Sequence, residues 1–196
     1  KDLVYLKENM YPIVTEKINE FLESHRKDLD GIYISGGEPL MHEGVVSFLQ
    51  YAKTLNYKIK IHTNGMFYER LKTILAQKLV DHVSLDIKNA PSAYAKTCGV
   101  EDMDLKDIEK SLDLLKQSVV PYDICVTLVD ELHNQETIEE LGEWLQGVDT
   151  VILQPFEDSE TTIDHSLHRP SFEVVLKYKN IFEKYVKHVK IRGDQA

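Results

Sequence analysis

From residue 31 to residue 191 the sequence alternates short apolar runs with segments whose apolar residues repeat at helical spacing, and this alternation narrows the fold more than any other feature. The strand-like runs are Gly31–Ser35, Tyr57–Thr63, His82–Ile87, Tyr122–Val129, Thr150–Phe156 and a last short one, His188–Ile191. A first helix carries Met10, Ile13, Val14, Ile18, Phe21 and Leu22, with Pro12 in its first turn and its end near Asp28. Further helices are expected over residues 43–55, through Leu71, Ile74, Leu75 and Leu79, through Leu105 to Leu115, over residues 135–146, and through Val174 to Tyr185. Asp104 and Ser171 stand where helix N-caps are needed, and Pro91 marks a loop holding at most a short helical turn. Repeated βα units of this length imply a parallel sheet with helices outside it, either a barrel or a doubly wound sheet.

Polar clusters at the ends of the strands show where such a fold would work. The run Ile32-Tyr33-Ile34-Ser35-Gly36-Gly37-Glu38-Pro39-Leu40 is a strand that leads into two glycines, a carboxylate and a proline. Paired glycines let backbone approach a ligand closely, Glu38 adds carboxylate oxygens beside it, and Pro39 fixes the exit direction. That arrangement suits a small cation or an ammonium group. Thr63-Asn64-Gly65 ends the second strand, Asp86-Ile87-Lys88 the third, and Gln154 lies at the end of the fifth. Each cluster alone reads as turn chemistry. Four of them on the C-terminal edge of one parallel sheet read as a site, because that edge is where barrels and open α/β sheets assemble theirs.

Composition excludes several alternatives. The 196 residues, expected to form a single domain over 1–196, carry 23 Lys and Arg against 33 Asp and Glu, a formal net charge of -10. This argues against nucleic acid and against an anionic membrane surface as partners. No apolar run reaches membrane-spanning length and no signal-peptide pattern opens the chain, so a cytoplasmic location is expected. Cys98, placed in a loop, and Cys125, placed in a strand, are too few and too far apart for a disulfide framework or a metal motif. His165 and His168 beside Asp164 read as solvated loop residues, and Glu136, Glu139, Glu140 and Glu143 as a solvated helix face.

The set S-G-G-E-P, T-N-G and L-D-I-K at the ends of three consecutive strands resembles the radical S-adenosylmethionine superfamily, and within it the activating enzymes of glycyl-radical enzymes, those of anaerobic ribonucleotide reductase above all. The resemblance runs from the first helix to Ile191-Arg192-Gly193 and implies an α/β fold, a partial (β/α)6 TIM-like barrel of parallel strands. It also implies two cofactors, S-adenosylmethionine and a [4Fe–4S] cluster held by three cysteines. In such enzymes one electron from the cluster cleaves the sulfonium, and the resulting 5′-deoxyadenosyl radical takes a hydrogen atom from a glycine of a partner enzyme. A glycyl-radical enzyme as protein substrate and a flavodoxin- or ferredoxin-type electron donor are the implied partners. Carried over by position, Gly36, Gly37 and Glu38 would hold the methionine ammonium. Asp86, Ile87 and Lys88 would lie along the methionine and ribose, with Thr63, Asn64 and Gln154 on the same rim.

Three departures qualify the resemblance. The C-x-x-x-C-x-x-C segment that follows the family's first strand is absent, so that strand and the cluster ligands are expected upstream of Lys1, and the chain as written is expected to be inactive. His62 stands where several relatives place an aspartate that helps bind a monovalent cation. Cys125 stands where relatives often have an arginine that anchors the methionine carboxylate. Besides the activase reading, two others remain: a radical enzyme acting on a small molecule, of the deazaguanine-synthase type, against which L-D-I-K argues, and a cluster-free binding module.

Overall fold

The computed structural model describes residues 15–160, 162 and 164–193. Six strands, β1 (Gly31–Ile34), β2 (Lys58–Thr63), β3 (His82–Asp86), β4 (Tyr122–Leu128), β5 (Thr150–Pro155) and β6 (His188–Ile191), form one sheet in the order β1-β2-β3-β4-β5-β6. Every neighbouring pair is parallel. Among the described residues seven α-helices link or flank them: α1 (Thr15–Ser24), α2 (Val45–Thr54), α3 (Tyr68–Ala76), α4 (Pro91–Cys98), α5 (Lys106–Lys116), α6 (Gln135–Trp144) and α7 (Phe172–Phe182). The strand–helix alternation therefore yields the expected partial (β/α)6 barrel, with β1 and β6 at its two edges.

The two faces of the sheet differ sharply. Ile59, Ile61, Val83, Leu85, Ile124, Val126, Val151 and Leu153 are almost completely buried and join Leu49, Leu71, Ile74, Leu112, Leu141 and Phe182 of the helices in one core. Truncating any of these side chains to alanine leaves a cavity worth about 2–5 kcal/mol. The alternate residues, Lys60, His62, His82, Ser84, Asp86, Asp123, Cys125 and Gln154, point the other way. This face is polar and holds the site.

Two local expectations are corrected. Pro91 starts an eight-residue helix instead of marking a loop, because proline at the first helical position loses no hydrogen bond, and Gly99 at φ 71° closes that helix in the left-handed conformation. Cys98 is thus the last residue of α4. Leu105, not Asp104, is the N-cap of α5, although the Asp104 carboxylate still accepts the Lys106 N–H at 3.0 Å. Ser171 caps α7 as expected, its hydroxyl accepting the Val174 N–H at 3.3 Å. The expected beginning of the first helix, with Met10 and Pro12, lies outside the described residues.

Candidate functional site

Each of the polar clusters leaves a strand on the same edge. Thr63 and Asp86 are the last residues of β2 and β3, Gln154 is the penultimate residue of β5, and Gly36 lies two residues beyond β1. Register supports the alignment: Thr63 pairs with Leu85, Asp86 with Cys125, and Thr127 with Gln154.

Glu38 joins the first cluster to the second. Its Oε1 accepts the Leu40 N–H at 3.0 Å and the Thr63 hydroxyl at 2.8 Å, while Oε2 accepts the Asn64 N–H at 2.7 Å. A carboxylate offers about four lone-pair positions, so one acceptor position on Oε2 remains for a ligand donor. Thr63 is buried and also accepts the Gly65 N–H at 3.2 Å, and the Asn64 side chain accepts the Met66 N–H at 3.0 Å. These two residues therefore build the turn and position Glu38. Arg70 of α3 donates to the carbonyls of Leu40 and Met41, holding the turn after β1 from the far side.

Glycine is required at two positions here. Gly36 has φ 120°, which strains any side-chain-bearing residue, and a Cβ on Gly65 (φ 79°) would come within 2.7 Å of Leu85 Cδ1. Gly37 and Glu38 border a cavity of about 790 Å3 whose apolar wall includes Ile18, Val45 and Phe48. It lies between α1, the end of β1 and α2, and Thr63, Asn64, Asp86, Lys88 and Gln154 do not line it. Replacing Glu38 with alanine leaves three donors without their acceptor and is expected to cost about 2 kcal/mol. Urea unfolding of Glu38→Ala measures it, and an unchanged midpoint would show that the three bonds do not hold the rim.

A second group lies on the polar face. Lys88 Nζ sits 2.5 Å from Asp86 Oδ2, and His62 Nε2 lies 3.9 Å from the same oxygen. The other ring nitrogen of His62 meets the Tyr33 hydroxyl at 2.8 Å. Burial alone would raise the Asp86 pKa, but His62 and Lys88 outweigh it and hold the carboxyl below its usual value. Asp86 is thus an anion that the Lys88 ammonium already pairs. Ile87 is fully buried, so only its backbone faces the rim, and its N–H donates to the Cys125 carbonyl at 2.9 Å.

Below this group Asp123 gathers Ser84 Oγ at 2.5 Å and Cys125 Sγ at 3.5 Å on one oxygen, and His82 Nε2 at 2.6 Å and Lys60 Nζ at 3.1 Å on the other. Its acceptor positions are full. Burial first, and then the charge of Asp123, pushes the Cys125 thiol up to about 12, so it stays protonated.

Sequence reasoning gave no site role to Tyr33, Arg192 and His133. Tyr33 and His62 meet across adjacent strands, which no local motif announces. Arg192 donates from Nη1 to Gln154 Oε1 at 2.7 Å, and its Nη2 lies 4.0 Å from Cys125 Sγ. His133 is almost fully buried; its Nε2 faces the Lys88 carbonyl at 3.1 Å and its Nδ1 accepts the Val129 N–H at 3.1 Å. Burial lowers the His133 pKa against the opposing pull of the Val129 and Lys88 backbone carbonyls. A group depressed in this way is neutral in the fold, so its stabilisation is complete above the ordinary value of 6.5 and is lost as the pH falls below it. Between pH 7 and 5 the wild type is expected to lose thermal stability faster than His133→Gln. Parallel slopes in the two melting series would sink this account.

The donor set differs in its fit to the two implied cofactors. A zwitterion with a sulfonium needs an acceptor for its ammonium and both charge signs nearby, and the free position on Glu38 and the Asp86–Lys88 pair suit S-adenosylmethionine in those respects. The cluster does not fit. Cys98 is exposed on α4 and Cys125 is buried in β4, and among the described residues no three His, Cys, Asp or Glu side chains are grouped to hold a metal ion. His165 and His168 pair with different carboxylates, Asp158 and Glu131, in exposed loops. No described helix is long and apolar enough to cross a membrane.

Comparison with known proteins agrees with this geometry. A model of the Radical SAM superfamily matches residues 5–146. A Methanocaldococcus jannaschii protein assigned as a glycyl-radical enzyme activating enzyme is 30% identical over 169 residues, 83% of this chain and 70% of its own length. Among solved structures, a domain of the pyruvate-formate lyase-activating enzyme from Bacteroides vulgatus superposes with a TM-score of 0.65 at 20% identity, covering 83% of this chain and 99% of that one. Streptococcus suis SuiB bound to S-adenosylmethionine superposes with a TM-score of 0.73 at 13% identity, over 96% of this chain and 46% of that one.

Proposed function

The chain belongs to the Radical SAM superfamily, and from that premise we propose that it is an activating enzyme that installs a glycyl radical on a partner protein. The observation that carries the reading is the joined rim, in which Ser35-Gly36-Gly37-Glu38, Thr63-Asn64 and Asp86-Ile87-Lys88 leave three adjacent parallel strands on one edge and Glu38 bonds the first to the second. The 30% identical relative assigned as an activating enzyme supports the same choice.

S-adenosylmethionine supplies the adenosyl group and the sulfonium when bound. The chain's own residues do the holding. Backbone carbonyls of Gly36 and Gly37 and the remaining acceptor position of Glu38 take the methionine ammonium. Asp86 and Lys88 lie along the methionine and ribose, and His133 fixes the segment that carries them by bonding the Lys88 carbonyl. No step is assigned through an iron–sulfur cluster, because Cys98 and Cys125 do not form its ligand set. A glycyl-radical enzyme is the protein substrate in this reading, and a flavodoxin- or ferredoxin-type protein is the electron donor.

The test joins the chain to a cluster-binding segment and incubates it anaerobically with S-adenosylmethionine, a reductant and a glycyl-radical enzyme. The expected result is the glycyl doublet in the electron paramagnetic resonance spectrum of the partner. Formation of 5′-deoxyadenosine without that doublet, with a small molecule consumed instead, would move the assignment to a small-molecule radical enzyme.

A further inference from the structure

Among the described residues β6 (His188–Ile191) ends the sheet, with no strand on its outer side. The His188 N–H donates to the Asp149 carbonyl at 2.9 Å and the Arg192 N–H to the Leu153 carbonyl at 2.8 Å, so these residues bond inward to β5. Backbone groups alternate sides along a strand, and the N–H and C=O of Val189 and Ile191 therefore point to the open edge. Side chains alternate between the two faces. Val189 and Ile191 pack half-buried against the core, while His188, Lys190 and Arg192 stand exposed on the polar face.

An open edge is a template for another strand, and the charges along it decide which strand it accepts. Both carboxylates that β3 and β4 place on this face are already paired, Asp86 by Lys88 and Asp123 by Lys60. Among the described residues neither Lys190 nor Arg192 forms an ion pair, and Arg192 donates instead to the Gln154 amide oxygen at 2.7 Å. The edge thus carries a row of uncompensated positive charge on a chain whose formal net charge is -10. A second copy of the chain does not satisfy it, because an antiparallel pairing of two β6 edges sets Lys190 and Arg192 against like charges. An acidic strand does.

We propose that the outer edge of β6 is a docking site for an extended acidic segment of a partner protein, added as a further strand with carboxylates at alternate positions. Alternate residues of an extended segment stand about 6.6 Å apart, which is also the repeat of His188, Lys190 and Arg192 along β6. The residues between the carboxylates fall on the core face beside Val189 and Ile191 and are apolar. Main-chain bonds to Val189 and Ile191 supply affinity, and the alternating carboxylates supply selection. The inference needs neither cofactor, so it stands apart from the proposed radical chemistry.

The test titrates two synthetic peptides into the full chain by fluorescence anisotropy, one of alternating Glu and Val and one of alternating Lys and Val. The Glu peptide is expected to bind, more weakly as salt is raised, and the Lys peptide not to bind. Lys190→Glu, at an exposed position, is expected to lower affinity for the Glu peptide about tenfold, the scale of a charge-assisted hydrogen bond, with the melting temperature unchanged. N-methylation of alternate peptide amides tests the added strand itself. One set is expected to abolish binding and the other to leave it intact, because only one set faces β6. Equal affinity for the two peptides, equal affinity in wild type and Lys190→Glu, or equal effects of the two methylation sets overturns the proposal. No binding at about 1 mM peptide does the same. Dimers of the chain that exclude the peptide also overturn it, in favour of a second copy at this edge.

Discussion

Taken through anaerobic reconstitution with iron and sulfide, the 196-residue chain is expected to retain no stable [4Fe–4S] cluster. Three thiolates must converge to hold the cluster and leave one iron open. This chain has only Cys98, exposed at the end of α4, and Cys125, buried in β4 with its thiol pushed up to about 12. A thiol so reluctant to ionise is a poor ligand even where geometry permits. Joined to a segment bearing C-x-x-x-C-x-x-C, the chain is expected to carry about four irons held by that segment and to form 5′-deoxyadenosine when reduced. Iron content and product chromatography on both forms decide the matter. Full cluster occupancy in the chain alone, or no deoxyadenosine from the extended form, would remove the activase reading and favour a binding module.

The second large effect is expected at the glycine turn. In the cluster-bearing form, Gly37→Val puts branched carbons where backbone must approach the ligand, and binding of S-adenosylmethionine should fall below detection. Asp86→Ala should weaken binding while the fold survives, because Lys88 is partly exposed and recovers water when its partner is removed. Calorimetric titration and thermal unfolding of both variants separate the two effects. Wild-type affinity in both would place the cofactor away from this rim.

The strands and most helices were legible because their signals are local. Alternating faces at Lys58–Thr63 and the helical spacing of Ile108, Leu112 and Leu115 need only a few neighbouring residues to be read. Pro91 misled because proline signals both a break and a helix start, and the deciding residue, Gly99, lies eight positions later. At the site, the residue identities were visible but their partners were not. Glu38 looked like a free ligand carboxylate, yet three of its acceptor positions are taken by Leu40, Thr63 and Asn64.

The sequence by itself determined the βα alternation and the polar motifs that leave the ends of three adjacent strands, since each of these depends on periodicity and turn chemistry within a short stretch. Only the tertiary structure decided which polar groups satisfy one another. Tyr33 with His62, Asp123 with His82, His133 with Lys88 and Arg192 with Gln154 are brought together by strand register and by strand order, from positions far apart in the chain. The physical reason is that hydrogen bonds and ion pairs act over a few ångströms in space without regard to sequence separation. Which donor remains free for a ligand is therefore known only once the strands lie side by side.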